Sequence, residues 1–209
     1  MNIESTLENY LNTLREKGAA FPEVIQPLDD SDLMNDLAGI EGISIPDQFG
    51  YYLEKINGYD LKRCRELDVM DPVFAWNKEV KPLKRIISYY KSNAGSFEDP
   101  DYFPPGFVTF LWGAGGDDIV INCIKDSPTF GAVYFFQEGV GINRISGTLA
   151  EFIEGCTQEL KEGLIHFEDA DISEVVDEET YFDDRLRIYG NTPYFNRKGK
   201  MDTQIVDWK

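Results

Sequence analysis

Histidine is almost missing from this chain: His166 is its single imidazole. A serine or cysteine nucleophile needs a base beside it, and His166 lies outside any motif and far in sequence from every cysteine, which argues against nucleophilic catalysis. A hydrolase resting on carboxylates alone stays open by counting, but no spacing points to one. Cysteine is scarce too. Cys64, Cys123 and Cys156 form an odd set without a CxxC pair, so they argue against a disulfide framework or zinc knuckle and read as small buried hydrophobes. No unbroken apolar run reaches the roughly 18 residues of a membrane helix. The opening MNIESTLENYLN has neither the basic nor the apolar part of a leader. The expectation is a cytoplasmic protein without a membrane partner.

Positive charge is the next shortage, with 20 Lys and Arg against 38 Asp and Glu and a formal charge of -18. Such a surface repels nucleic acid and attracts basic proteins over long range, although solubility alone also explains it. What the chain does have is core material. Hydrophobic residues make up 42% of it, including 14 Phe and 11 Tyr, which is more than a disordered chain carries.

The N-terminal half reads as helices. Ile3, Leu7, Leu11 and Leu14 fall at helical spacing over 2–17, before Gly18. A second helix is predicted from Asp29-Asp30-Ser31 to Gly39, burying Leu33 and Leu37. In SIPDQFGYYLEKINGYD, Pro46 suits the first turn, Phe49, Tyr52, Leu53 and Ile56 share a face, and Gly58 is expected as the left-handed cap. Residues 59–103 are less periodic, apart from a helix over 81–93 with Leu83, Ile86, Ile87 and Tyr90 on one side.

From Phe107 the period changes. FVTFLW, IVINCI, AVYFFQ and GVGINRI are short β-branched and aromatic runs separated by turn residues, a pattern of antiparallel strands. They lead into a helix over about 149–161 whose Thr148 and Glu151 have capping-box spacing. Helices, then strands, then a helix predict an α+β fold with a twisted antiparallel meander flanked by helices. Residues 1–165 form that domain, with 59–103 as an elaboration. Residues 168–184 then hold nine carboxylates and no basic residue. The final stretch is basic, and its RKGK between YFN and TQIVDW suggests a terminal hairpin packed on the same domain.

Three features in this order resemble the SUKH superfamily, which comprises bacterial toxin-immunity proteins and yeast regulators of cell-wall synthesis. They are the Ile45-Pro46 helix ending at Asn57-Gly58, the aromatic strand and acidic turn FVTFLWGAGGDDIVINCI, and GAVYFFQEGVGINRISGTLAEFI, which passes from strand to helix. The likeness spans about 29–58 and 104–160, and the chain departs from it in 59–103 and after Gly163. The resemblance implies a role in binding rather than chemistry, with no cofactor.

Each motif with a chemical reading also has a plainer structural one. WGAGGDD fails the dinucleotide spacing at Gly113, Gly115 and Gly116, a strand pattern follows it, and two carboxylates would repel phosphate. Trp112, Asp117 and Asp118 are therefore expected at a sheet turn, with Trp112 as an anchor and the adjacent carboxylates on opposite faces. A calcium loop from Asp169 through Asp171 and Ser173 breaks where Glu174 replaces glycine and Thr180 the final glutamate, so no metal site is expected. The chain thus reads as a non-catalytic immunity protein against a basic, nuclease-like toxin, with Asp169, Asp171, Glu174, Asp177, Glu178 and Glu179 as contacts and Tyr181 and Phe182 as aromatic anchors. The alternatives are a scaffold module of the cell-wall regulator type or an orphan hydrolase. Oligomeric state is not legible.

Overall fold

Asn2 starts the first helix by accepting the Glu4 amide at 2.9 Å, and α1 (Ile3–Glu16) then buries Leu7, Tyr10 and Leu14. The computed structural model describes residues 1–70, 72–93, 101–113, 115–168, 172–175, 177–196 and 203–209, with the backbone alone for 168, 172–175, 178 and 179. A short α2 (Phe21–Val24), which the spacing did not indicate, leads to α3 (Asp32–Ala38) and α4 (Asp47–Lys55), the latter two close to their predicted places. Leu37, Phe49, Tyr52 and Leu53 are buried, as their spacing requires.

The exit from α4 differs from expectation. The helix ends at Lys55, and Ile56 is already extended, so Gly58 does not cap it. Gly58 nevertheless has φ +85°, because the chain there turns back to bond Gln26: Gln26 N–H donates to the Gly58 carbonyl and Asn57 N–H to the Gln26 carbonyl. Asn57 also accepts the Leu83 amide at 2.6 Å and so caps a later helix. A Cβ on Gly58 would lie 3.0 Å from the Pro82 ring. Gly58→Ala is expected to lower stability by about 1–2 kcal/mol, read from urea midpoints.

Residues 59–103 hold more order than their sequence suggests. After α5 (Leu61–Leu67) come β1 (Val73–Ala75) and β2 (Lys78–Val80), then α6 (Leu83–Asn93). The two strands add to β3 (Phe107–Trp112), β4 (Asp118–Asn122), β5 (Val133–Gln137) and β6 (Gly141–Ser146) in one six-stranded antiparallel sheet of order β1-β2-β3-β4-β5-β6. The predicted meander is therefore present, extended by a hairpin at one edge.

Alternation along the central strands sends Ile119, Ile121, Val133 and Ile145 into the main core, and Val120, Tyr134, Phe136 and Ile142 into a second cluster on the opposite face. Against the main-core side lie α1, α4 and α7 (Leu149–Glu162). Thr148 accepts the Glu151 amide at 3.1 Å, as the capping box predicts, but the Glu151 carboxylate returns to the Gly147 amide. Cys64, Cys123 and Cys156 are free and buried.

The C-terminal quarter corrects one expectation. Residues of the acidic stretch form a separate β7 (Ile165–Glu168) and β8 (Ile172–Val175) pair, followed by α8 (Glu178–Tyr189). Among the described residues the terminal hairpin is not seen. Its first arm is helical in α9 (Pro193–Asn196), where Pro193 starts a helix, and residues 203–209 form no strand; the RKGK centre lies outside the described residues.

Candidate partner-binding surface

The apolar stripe of α7 carries one carboxylate. Glu159 falls three residues after Cys156 and seven after Phe152, so helical geometry turns it into the core, where it is fully buried. A buried charge must be paired and hydrogen-bonded. Glu159 accepts Trp76 Nε1–H at 2.9 Å, the Tyr189 hydroxyl at 2.6 Å, the Tyr181 hydroxyl at 2.7 Å and Arg185 Nε–H at 3.3 Å. The Arg185 guanidinium lies 3.6 Å from the Trp76 ring centroid and 4.1 Å from that of Tyr181. The network ties the β1–β2 turn, α7 and α8 together.

Trp76 reaches this position at a local cost. It and Asn77 form the two-residue turn between β1 and β2 with φ of 53° and 54°. Such turns suit asparagine and glycine, not tryptophan. The indole is nevertheless held against Phe152 and Tyr189, both edge-on at 5.5 Å.

The acidic strip is mounted on this framework. Asp177 is exposed just ahead of α8, Glu178 and Glu179 occupy its first turn, and Glu174 lies in β8. Asp169 and Asp171 lie outside the described residues. The two aromatic candidates are engaged internally: Tyr181 bonds Glu159, and Phe182 packs on Phe195 with centroids 5.7 Å apart. Both contacts help to position the helix, and both residues are half-buried.

A second acidic surface escaped the sequence reading, although counting charges in windows would have found it. Between Lys17 and Lys55 there is no basic residue, while Glu23, Asp29, Asp30, Asp32, Asp36, Glu41, Asp47 and Glu54 are all exposed. Glu23 pairs with Arg15 at 3.2 Å.

At the β3–β4 turn the two adjacent carboxylates separate as alternation requires. Asp118 is the first residue of β4 rather than part of the turn, and it is 2% exposed, whereas Asp117 stays half-exposed. Asp118 accepts the Gly113 amide at 3.2 Å. Lys78 reaches over the same glycine, where any Cβ would strike its ammonium. Half-buried Trp112 packs edge-on to Tyr89 and lines a shallow groove of about 280 Å³ with Lys81 and Arg85.

Burial raises the Asp118 carboxyl to about 6, against the opposing pull of the Gly113 amide, Lys78 and Tyr89. A folded-state pKa above the unfolded value means that the native state holds the extra proton. Stability is then highest below the unfolded pKa and falls as pH rises through about 6. Relative to Asp118→Asn, the wild type is expected to lose about 2–3 kcal/mol between pH 4 and pH 7, measured as the difference in urea unfolding between the two chains. Among the described residues no group of three or more His, Cys, Asp or Glu could hold a metal ion. No helix there is long and apolar enough to cross a membrane.

A six-stranded antiparallel meander with helices packed on its main-core face, fastened to a C-terminal helix by a buried carboxylate, defines an α+β protein. The chain matches the model of the SMI1 / KNR4 family (SUKH-1) over residues 29–155, more than half of its length, and it belongs to that family. The match runs through 59–103, which the sequence reading had set apart as a departure, and stops short of β7, β8, α8 and α9. No curated protein matches the chain.

Proposed function

We propose that this chain is an immunity-type binding protein that neutralises a basic, nuclease-like toxin in the cytosol by covering its cationic surface. The observation that carries the reading is carboxylate of one sign on fixed supports: the acidic strip at the start of α8, whose helix is locked by Glu159, and the exposed row from Glu23 to Glu54. A nuclease surface that binds phosphate is positive, and complementary charge speeds encounter while holding the partners in register. Membership of the SUKH-1 family supports protein binding at the coarser level.

The test first asks whether a gene beside this one encodes a toxin domain, and then uses that domain as the partner. Replacing Asp177, Glu178 and Glu179 by their amides is expected to slow association roughly tenfold at low salt and to flatten its salt dependence, with a change in stability of no more than about 1–2 kcal/mol from the start of α8. A parallel variant neutralising Asp29, Asp32, Asp36 and Glu41 assigns the effect to one surface or the other. Unaltered stopped-flow rates for both variants, or a neighbouring gene that encodes no toxin, would overturn the reading.

A further inference from the structure

On the face of the sheet away from the main core, Asp207 and Trp208 fill a slot that engages both the side chains and the main chain of an extended segment. The Trp208 indole, 3% exposed, stands edge-on to Phe107 and Tyr134 with ring centroids 5.4 and 5.9 Å away. One oxygen of Asp207 accepts the Tyr134 hydroxyl at 2.9 Å, and the other accepts Arg144 Nε–H at 2.7 Å. Main-chain groups are held as well. The buried Asn143 amide donates to the Thr203 carbonyl at 3.3 Å and accepts the Ile205 N–H at 2.9 Å, the two-way pairing that a neighbouring strand would supply. Ser127 Oγ donates to the Trp208 carbonyl at 2.6 Å. Between these anchors Ile205 and Val206 are exposed, and residues 203–209 form neither helix nor strand.

The occupant lies outside the family domain. Every slot residue, from Phe107 to Arg144, falls within the matched 29–155, whereas 203–209 lies beyond it. Without the tail the shared domain would present an aromatic wall formed by Phe107 and Tyr134 and a guanidinium on one face, with a main-chain-pairing asparagine beside them on the edge strand β6.

We propose that this face is a peptide-docking groove for an extended segment of a partner protein that carries an aspartate followed by an aromatic residue, and that residues 203–209 hold it in cis as a resident competitor. Arg144 and Tyr134 present donors at the position of Asp207, so the groove selects a carboxylate there, and the aromatic wall selects a flat ring beside it. A tail bound in cis weakens any partner by the fraction of molecules in which the groove is open. The groove shares no residue with the acidic surfaces, so it stands or falls apart from the toxin reading.

The test titrates a fluorescently labelled peptide, TQIVDWK, into the full chain, wild type and Trp208→Ala, with anisotropy as the readout. The variant is expected to bind saturably and at least about tenfold more tightly than the wild type, since its groove is open. Exchange of the peptide's aspartate for lysine should abolish that binding. Equal affinity for both chains puts the peptide elsewhere and overturns the proposal, as does no binding to a Trp208→Ala chain with native circular dichroism. If Trp208→Ala does not fold, Asp207→Ala, which keeps the indole, takes its place. Failure of both to fold makes the tail an integral part of the core, and the proposal falls. A wild-type dimer in sedimentation that Trp208→Ala abolishes assigns the groove to a second copy's tail and likewise overturns it.

Discussion

Replacing Glu159 by alanine lowers the free energy of unfolding by about 3–5 kcal/mol, measured by urea denaturation at pH 7. The magnitude follows from what the carboxylate leaves behind. Arg185, whose side chain is 11% exposed, loses its counter-charge, and the Trp76 indole N–H loses its acceptor. Breaking one side of a buried ion pair costs far more than the pair itself contributes, because the remaining charge stays desolvated. Glu159→Gln keeps an acceptor for the indole and the phenols but gives up the charge opposite Arg185, so its loss should be smaller. Replacing Glu159 and Arg185 together by leucine and methionine should restore much of the stability. A double variant as unstable as Glu159→Ala would show that the hydrogen bonds, rather than the ion pair, hold α8.

The Trp76→Ala chain is expected to lose about 3–5 kcal/mol, because the ring is the centre of an aromatic cluster that includes Phe152, Tyr189, Tyr194 and Phe195. Position 76 also tests backbone strain. Its left-handed φ of 53° costs an ordinary residue about 1–2 kcal/mol, which glycine avoids. Trp76→Gly should therefore be no less stable than Trp76→Ala, although it removes one more carbon. Combined with Glu159→Ala, the losses should fall short of additive by about 0.5–3 kcal/mol, since both sever the same hydrogen bond.

Local period explains which elements could be read in advance. α4, α7 and the strands β3 to β6 each carry their pattern within a dozen residues, so spacing alone places them. β1 and β2 are three residues long and joined by Trp-Asn instead of Asn-Gly, which leaves no period to detect. α8 was obscured because Arg185, a charge, sits where an apolar residue would mark its buried side. Glu159 was within reach of the sequence: its spacing from Phe152 and Cys156 places it on the apolar stripe of α7, and a carboxylate there calls for partners. Those partners were beyond reach, since Trp76 precedes it by 83 residues. Trp208 likewise meets Phe107 and Tyr134 through contacts that no local pattern encodes.

The ribosome makes Trp76 long before it makes the residues that hold its ring. Tyr181, Arg185, Tyr189, Tyr194 and Phe195 all arrive more than a hundred residues later. At roughly 5–20 residues per second, that delay is on the order of ten seconds. During it, the strained turn has neither its aromatic neighbours from the C-terminal helices nor the guanidinium of Arg185 to offset its conformation. The edge hairpin therefore settles late in synthesis, and a nascent chain halted before α8 should leave that edge of the sheet open to chaperones and proteases.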